Sequence, residues 1–355
     1  MKILLVGFKL SIGNELYMQT LYKHFTENDC QVDICGDSNY VLKHNQGYSV
    51  ANGGNSKQMI LDTINPYNWF KFYKILQNDY DKIFFISSHT LNNIAIVLAK
   101  FKGVETISHI HDPIPHSGTK YGWIILLSQK LQSRLTDKII VYGKKLQEII
   151  HREYSINNNK IYEIKHGVYR DDKELFNKED KKYISLLGRI DEYKGIDIFL
   201  DAIEKLDNKI NKDIIFIIGG KGDLTSYEQK IAKLKHRLEI YNYIISNDKF
   251  DEILQQSYML VLPYKDGTQT GNIQVAYYNA TPVIVTDVGS IPELVEEGKT
   301  GYTIEPNNSK ELYESIEKVL AGDYEKMGKN SFEYYKKYLR WKGIIKNLIK
   351  IFEDK

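Results

Sequence analysis

Short apolar runs separated by helical stretches recur along this chain, and the series occurs twice. Residues 3–7, 31–34, 82–86, 106–110, 138–141 and 161–164 make the first series. Residues 183–187, 214–218, 243–245, 259–262, 282–285 and 301–304 make the second. Runs this short cannot be helices of ordinary length, and helical patterns such as 15–27 lie between them. Strands alternating with helices predict a parallel sheet covered on both faces. Two series predict two such α/β domains, which the length of 355 residues also favours over a single core.

The join is expected in the charged, apolar-poor stretch 170–182. The polar, glycine-rich stretch 45–56 reads as a loop. After residue 309 helices carry the chain onward, the last over 331–352 and long enough to return to the first domain. The expected division is therefore 1–168, 169–335 and a terminal helix 336–355.

An apolar content of 42% with seven prolines describes an ordinary globular protein. A formal charge of +2 lacks the basic excess of a nucleic-acid binder. The two cysteines, Cys30 and Cys35, form neither a zinc spacing nor a disulfide framework, and buried thiols are expected. No stretch approaches the ~20 apolar residues of a membrane span, and the first apolar run is too short for a signal peptide. A cytoplasmic protein is expected.

Chemistry concentrates in loops that follow strands, where ligands bind in open α/β sheets. Gly188-Arg189-Ile190-Asp191-Glu192-Tyr193-Lys194-Gly195 places an arginine and a lysine five residues apart beyond one strand. Such a pair suits diphosphate oxygens and can neutralise a departing nucleotide without a metal. The run from Pro263 to Gln274 ends in small polar residues at a helix start, so that Thr270, Gly271 and Asn272 would face an anion, or simply form a capped, solvated turn. Gly219 to Asp223 holds Gly220 and Gly222, which either pass beside a nucleotide or turn the chain. In the first half, Gly7 to Asn14 carries Gly13 and Asn14 in a loop that is either a ligand loop or an ordinary turn. His109 to His116 ends a strand with His111 and Asp112, placed for sugar hydroxyls or a proton. Three histidines also raise a metal, which the interleaved prolines and the strand spacing disfavour.

These residues resemble the family 4, or group 1, retaining glycosyltransferases. The resemblance rests on Gly188-Arg189 with Lys194-Gly195, on Gly219 to Asp223, on Pro263-Tyr264 and on Thr281-Pro-Val-Ile-Val-Thr-Asp-Val-Gly-Ser-Ile-Pro-Glu293. More loosely, it extends to Gly13 and His111-Asp112. It implies the GT-B fold: two Rossmann-like domains whose parallel sheets face across a cleft. It implies that Arg189 and Lys194 hold the diphosphate of a UDP- or GDP-sugar, with Gly188, Gly220 and Gly222 beside them. His111, with Asp112, would contact the transferred sugar, and the Gly13–Asn14 loop would lie over phosphates and acceptor. Thr270, Gly271 and Asn272, with Asp266, Gln269 and Gln274, would complete the donor site. No resident cofactor and no metal are implied; the nucleotide-sugar is substrate.

One departure stands out. The family carries two glutamates eight positions apart, at the donor sugar and the ribose. Here that spacing falls on Asp266 and Gln274, or on Gly267 and Val275 when counted back from Pro282. A Thr-Gln-Ser-Gly variant of the stretch occurs in the family, and Thr268 to Gly271 is close to it. The expected activity is metal-independent, retaining transfer to a glycan or lipid-linked acceptor in surface polysaccharide synthesis. The alternatives are a weakly active binding subunit and a nucleotide-sugar epimerase. Trp69 to Lys74 and the helix 121–135 interleave aromatic or apolar residues with Lys, fitting either core-facing helices or peripheral contact at the inner face of a membrane.

Overall fold

The computed structural model describes residues 1–114, 122–176, 179–206 and 209–354. The chain forms two compact units, Met1–Lys165 with Trp341–Lys355, and His166–Arg340. The expected divisions at 168 and 335 thus fall at 165 and 340. Pro115, His116 and Tyr121 lie outside the described residues.

The first unit holds β1 (Lys2–Gly7), β2 (Gln31–Asp37), β3 (Tyr48–Ala51), β4 (Lys82–Phe85), β5 (Glu105–His109), β6 (Lys138–Tyr142) and β7 (Ile161–Ile164). They form one parallel sheet in the order β3-β2-β1-β4-β5-β6-β7. Ile3, Leu4, Leu5 and Val6 are all fully buried, which in a strand requires cover on both faces. Chain order reverses between β1 and β4, and the loops after those strands diverge there.

The second unit holds β8 (Tyr183–Leu187), β9 (Ile215–Gly219), β10 (Leu238–Tyr241), β11 (Ser257–Leu262), β12 (Val283–Thr286) and β13 (Gly301–Ile304). Its parallel sheet runs β10-β9-β8-β11-β12-β13, with the reversal between β8 and β11. Ile184, Phe216 and Met259 face one apolar cluster, while Leu187, Ile217 and Leu262 face the other. Each face is therefore a core.

Three expectations change. The stretch 45–56 is not all loop: Tyr48–Ala51 is the edge strand β3, pairing Cys35 with Tyr48 and Gly36 with Ser49. An edge strand needs few apolar residues, and here only Val50 and Ala51 are buried. The strand expected at 243–245 is instead β10, a few residues earlier, and Tyr243 and Ile244 are exposed. The helix expected over 331–352 is interrupted. A helix Tyr324–Tyr334 passes into a wide π turn at Tyr335–Leu339, Arg340 is extended, and a new helix runs over Trp341–Glu353. Burial of Tyr335 and Leu339, with the Leu339 carbonyl accepting from the Val168 amide at 3.1 Å, holds the chain at the break.

That last helix belongs to the first unit. Phe352 is fully buried, with its ring 5.4 Å from Phe25 and 5.3 Å from Phe84. The buried Lys138 ammonium donates to the Ile351 carbonyl at 2.9 Å and pairs with Glu105 at 2.8 Å. The helix thus supplies both apolar cover and the acceptors for a buried cation. Phe352→Ala is expected to cost about 3–5 kcal/mol of stability; chemical denaturation giving a loss below about 1 kcal/mol would show that the helix is dispensable to the core.

Candidate active site

In the second unit, the loops after β8 and β11 emerge on either side of the reversal and are fastened together. Gly195 has φ +71°, and a Cβ there would lie 1.9 Å from the Pro263 carbonyl oxygen. The Lys265 amide donates to the Tyr193 carbonyl at 2.7 Å, and its ammonium pairs with Asp197 at 2.7 Å. Asn272 donates through Nδ2 to the Leu187 carbonyl at 2.7 Å. Only glycine permits the first of these approaches.

Lys194 sits where the loops meet. Its ammonium lies 3.7 Å from the ring centre of Tyr264 and 4.8 Å from that of Tyr193. Among the described residues it has no carboxylate partner. Burial, reinforced by the neighbouring Arg189 charge and opposed by Asp191, pulls its pKa down to about 8. Aromatic faces attract the cation but do not cancel its charge. Arg189 is largely exposed, hydrogen-bonds Tyr193 and pairs through Nε with Asp191. Two cations beside one carboxylate leave this corner positive.

Tyr264 is buried, and desolvation raises its phenol so that it stays neutral. Its hydroxyl meets Thr270 Oγ1 at 3.2 Å, and its carbonyl accepts from Thr286 at 2.6 Å. The long run 281–293 therefore braces this loop. Gly289 (φ +53°) passes so close that a Cβ would meet the Gly267 and Thr268 carbonyls at 2.3 and 2.5 Å, and the Ser290 amide donates to Thr268 at 2.8 Å.

The other expected donor residues fall as follows. Gly188 has φ +125°, and a Cβ there would press on Asn272 at 2.8 Å. Gly220 and Gly222 lie against the carbonyls of Gly188 and Ile190, where Cβ atoms would come within 1.8 and 2.1 Å. Their internal role is to let the β9 loop run against the β8 loop. Asp266 is exposed and accepts from the Gly267 amide at 2.7 Å. The Asn272 amide is directed at Thr270 Oγ1 (3.3 Å), and the helix that follows is only Asn272–Tyr278. Gly271 is exposed and Gln269 half-buried. Gln274 is buried, and its Oε1 accepts no hydrogen bond.

In the first unit, Ser11 caps the helix Ile12–Thr26 by accepting from the Asn14 amide at 3.5 Å. Gly13 opens onto empty space, so packing does not require glycine there. His111 and His109 stack with ring centres 4.0 Å apart and 20° between planes. Stacked imidazoles direct their in-plane lone pairs side by side rather than at one metal. Burial keeps His111 neutral. Its Nε2 lies 3.2 Å from the Ile86 carbonyl, which can only accept, so the proton sits on Nε2 and Nδ1 is left as an acceptor. Asp112 is half-buried, with its carbonyl accepting from Gln129 at 3.2 Å. His116 lies outside the described residues.

Sequence reasoning did not single out the paired rings of Tyr193 and Tyr264 under Lys194. An aromatic beside each loop's cation was the available signal.

Two family profiles divide the chain: glycosyltransferase family 4 matches residues 13–172, and glycosyl transferases group 1 matches residues 169–334. The chain belongs to the group 1 glycosyltransferases. An uncharacterized glycosyltransferase from Methanocaldococcus jannaschii is 26% identical over 256 residues, 68% of this chain and 69% of its own length. A second from that organism is 23% identical over 181 residues, 49% of this chain and 45% of its own. The match thus spans roughly half to two-thirds of these relatives. Among solved structures, HepE from Anabaena in complex with UDP superposes with a TM-score of 0.79 at 15% identity, covering 99% of this chain and all of that one. The likeness establishes for this glycosyltransferase the GT-B fold, two parallel-sheet Rossmann-like domains.

Proposed function

We propose that the protein transfers a sugar from a UDP- or GDP-sugar to a glycan or lipid-linked acceptor, with retention and without a metal, in surface polysaccharide synthesis. The observation that carries this reading is the Lys194 ammonium, held on Tyr264 beside Arg189 and ion-paired to no carboxylate among the described residues. HepE, solved with UDP and with UDP-glucose, supports the class of donor.

Transfer passes through an oxocarbenium-like state while negative charge grows on the leaving diphosphate. Lys194 and Arg189 meet that growing charge more strongly than they meet the intact donor, and this difference lowers the barrier. A diphosphate also restores Lys194 to full protonation by supplying the missing counter-charge. Gln274 Oε1, buried and without a donor, suits a ribose hydroxyl. The neutral His111, with Nδ1 as acceptor, suits a hydroxyl of the transferred sugar. Retention follows the family resemblance, with no enzyme nucleophile assigned.

The replacement of both family glutamates favours one competitor, a subunit that binds the donor without turnover. Donor hydrolysis or transfer by the purified chain decides between them. Activity is expected, and Arg189→Ala with Lys194→Ala should lower kcat/KM by about a hundredfold or more for each lost cation. Full activity in the double variant would sink the site assignment.

Peripheral contact with a membrane belongs to the same reading. Among the described residues, no helix is long and apolar enough to cross one. Four neighbouring helices, Ser56–Ile64, Pro66–Ile75, Asn92–Phe101 and Gly122–Leu135, nevertheless expose Ile64, Tyr67, Phe70, Phe101, Trp123 and Leu127. Their only acidic residue, Asp62, is buried, whereas Lys57, Lys71, Lys74, Lys100, Lys130 and Arg134 are basic. Exposed aromatics among cations suit an anionic bilayer surface. Co-sedimentation with phosphatidylglycerol vesicles should occur and weaken in Phe101→Ser with Trp123→Ser. Equal sedimentation of the two proteins, or none by either, would remove the membrane contact.

A further inference from the structure

A second group of poorly satisfied donors lies in the first unit, at the reversal between β1 and β4. His89 follows β4 and is 2% exposed. Its Nδ1 accepts the Leu91 amide at 3.0 Å, which fixes the proton on Nε2. That Nε2–H is buried and has no hydrogen-bond partner. Burial, with the nearby Lys9 charge, drives the ring's pKa down to about 3, so His89 is a neutral donor throughout the working range. A buried donor left unpaired carries a desolvation penalty, which a bound acceptor atom would recover.

Lys9, in the loop after β1, shows the same deficit in charged form. Its ammonium meets the Met59 thioether at 3.7 Å, a weak acceptor that carries no charge. Met59 also ties the β4 loop down, since Thr90 donates to its carbonyl at 3.0 Å. Lys9, Met59 and the 89–90 segment therefore converge from three elements. The Phe8 ring, 5.8 Å from His89 at 70°, walls one side with apolar surface. An ammonium standing near a buried, fixed N–H, neither with an anionic partner among the described residues, makes a place suited to an oxyanion.

We propose that Lys9 and the Nε2–H of His89 form an oxyanion site in the first unit, taking a phosphate or carboxylate group carried by the acceptor. The assignment to the acceptor rests on the transferase reading; the oxyanion site itself does not. It also differs from the Arg189–Lys194 pair in lying on another sheet and in using a neutral donor beside a single cation.

The test follows the His89 ring resonance by 15N-histidine NMR in the full chain. Lys194→Ala is used as background so that the other cationic corner does not compete. Inorganic phosphate and acetate serve as the two probes, and the one that moves Nε2 at lower concentration names the oxyanion class. A saturable shift is expected, with Lys9→Gln weakening the response about tenfold. No shift with either probe would overturn the site, as would an undiminished response in Lys9→Gln. An Nε2–H committed to the Phe8 ring would give the first of these results. Because the readout needs no turnover, a protein that binds the oxyanion but transfers no sugar would keep this site and lose the transferase reading.

Discussion

A half-buried ammonium on an aromatic face, in direct ion pairing with no carboxylate among the described residues, is the interaction on which the functional reading depends. Ordinary surface lysines are solvated or paired, and their contribution is small. Lys194 is neither. Desolvation has been imposed on it by the fold, and the Tyr264 ring compensates only in part. The protein thus carries an electrostatic deficit; in the proposed function a diphosphate fills it, and the same deficit serves as transition-state stabilisation once charge develops on the leaving group.

The fold creates that deficit by geometry. Parallel sheets bring loops out at one end, and the reversal between β8 and β11 opens a place between them. Closing the loops to the observed distance requires Gly195 against Pro263 and Gly220 against Gly188, positions where any Cβ would strike backbone. The run 281–293 then supports the β11 loop from behind through Thr286, Gly289 and Ser290. Residues that look like a ligand motif are in good part the scaffold that holds Tyr264 under Lys194. The first unit has its own reversal at β1 and β4, where the loops carry one cation, Lys9, and the neutral donor His89.

Much of this was legible in the sequence because buried parallel strands have a strong signature. Tyr183–Leu187 and Gly301–Ile304 stand where the apolar runs put them. Legibility failed at sheet edges and at the end of the chain. β3 and β10 need only half a face of apolar residues, so a glycine-rich stretch hid one and a more apolar neighbour displaced the other. The terminal helix kept its periodicity across the break at Arg340, which arises from packing of Tyr335 and Leu339 and not from any helix-breaking residue. In the site, Arg189 and Lys194 were visible as cations after a strand. The ring beneath Lys194 and the unpaired nitrogen of His89 depend on contacts far apart in sequence, which no local pattern encodes.

The most direct test of the central claim is the proton count on binding UDP, measured by calorimetry in buffers of different ionisation enthalpy near pH 8. If Lys194 titrates at about 8 in the free protein and is held charged by the diphosphate, about half a proton should be taken up per UDP bound. With Lys194→Arg, which stays charged, that uptake should vanish while binding persists. Binding heats that do not depend on the buffer, or equal uptake in the arginine variant, would contradict the account.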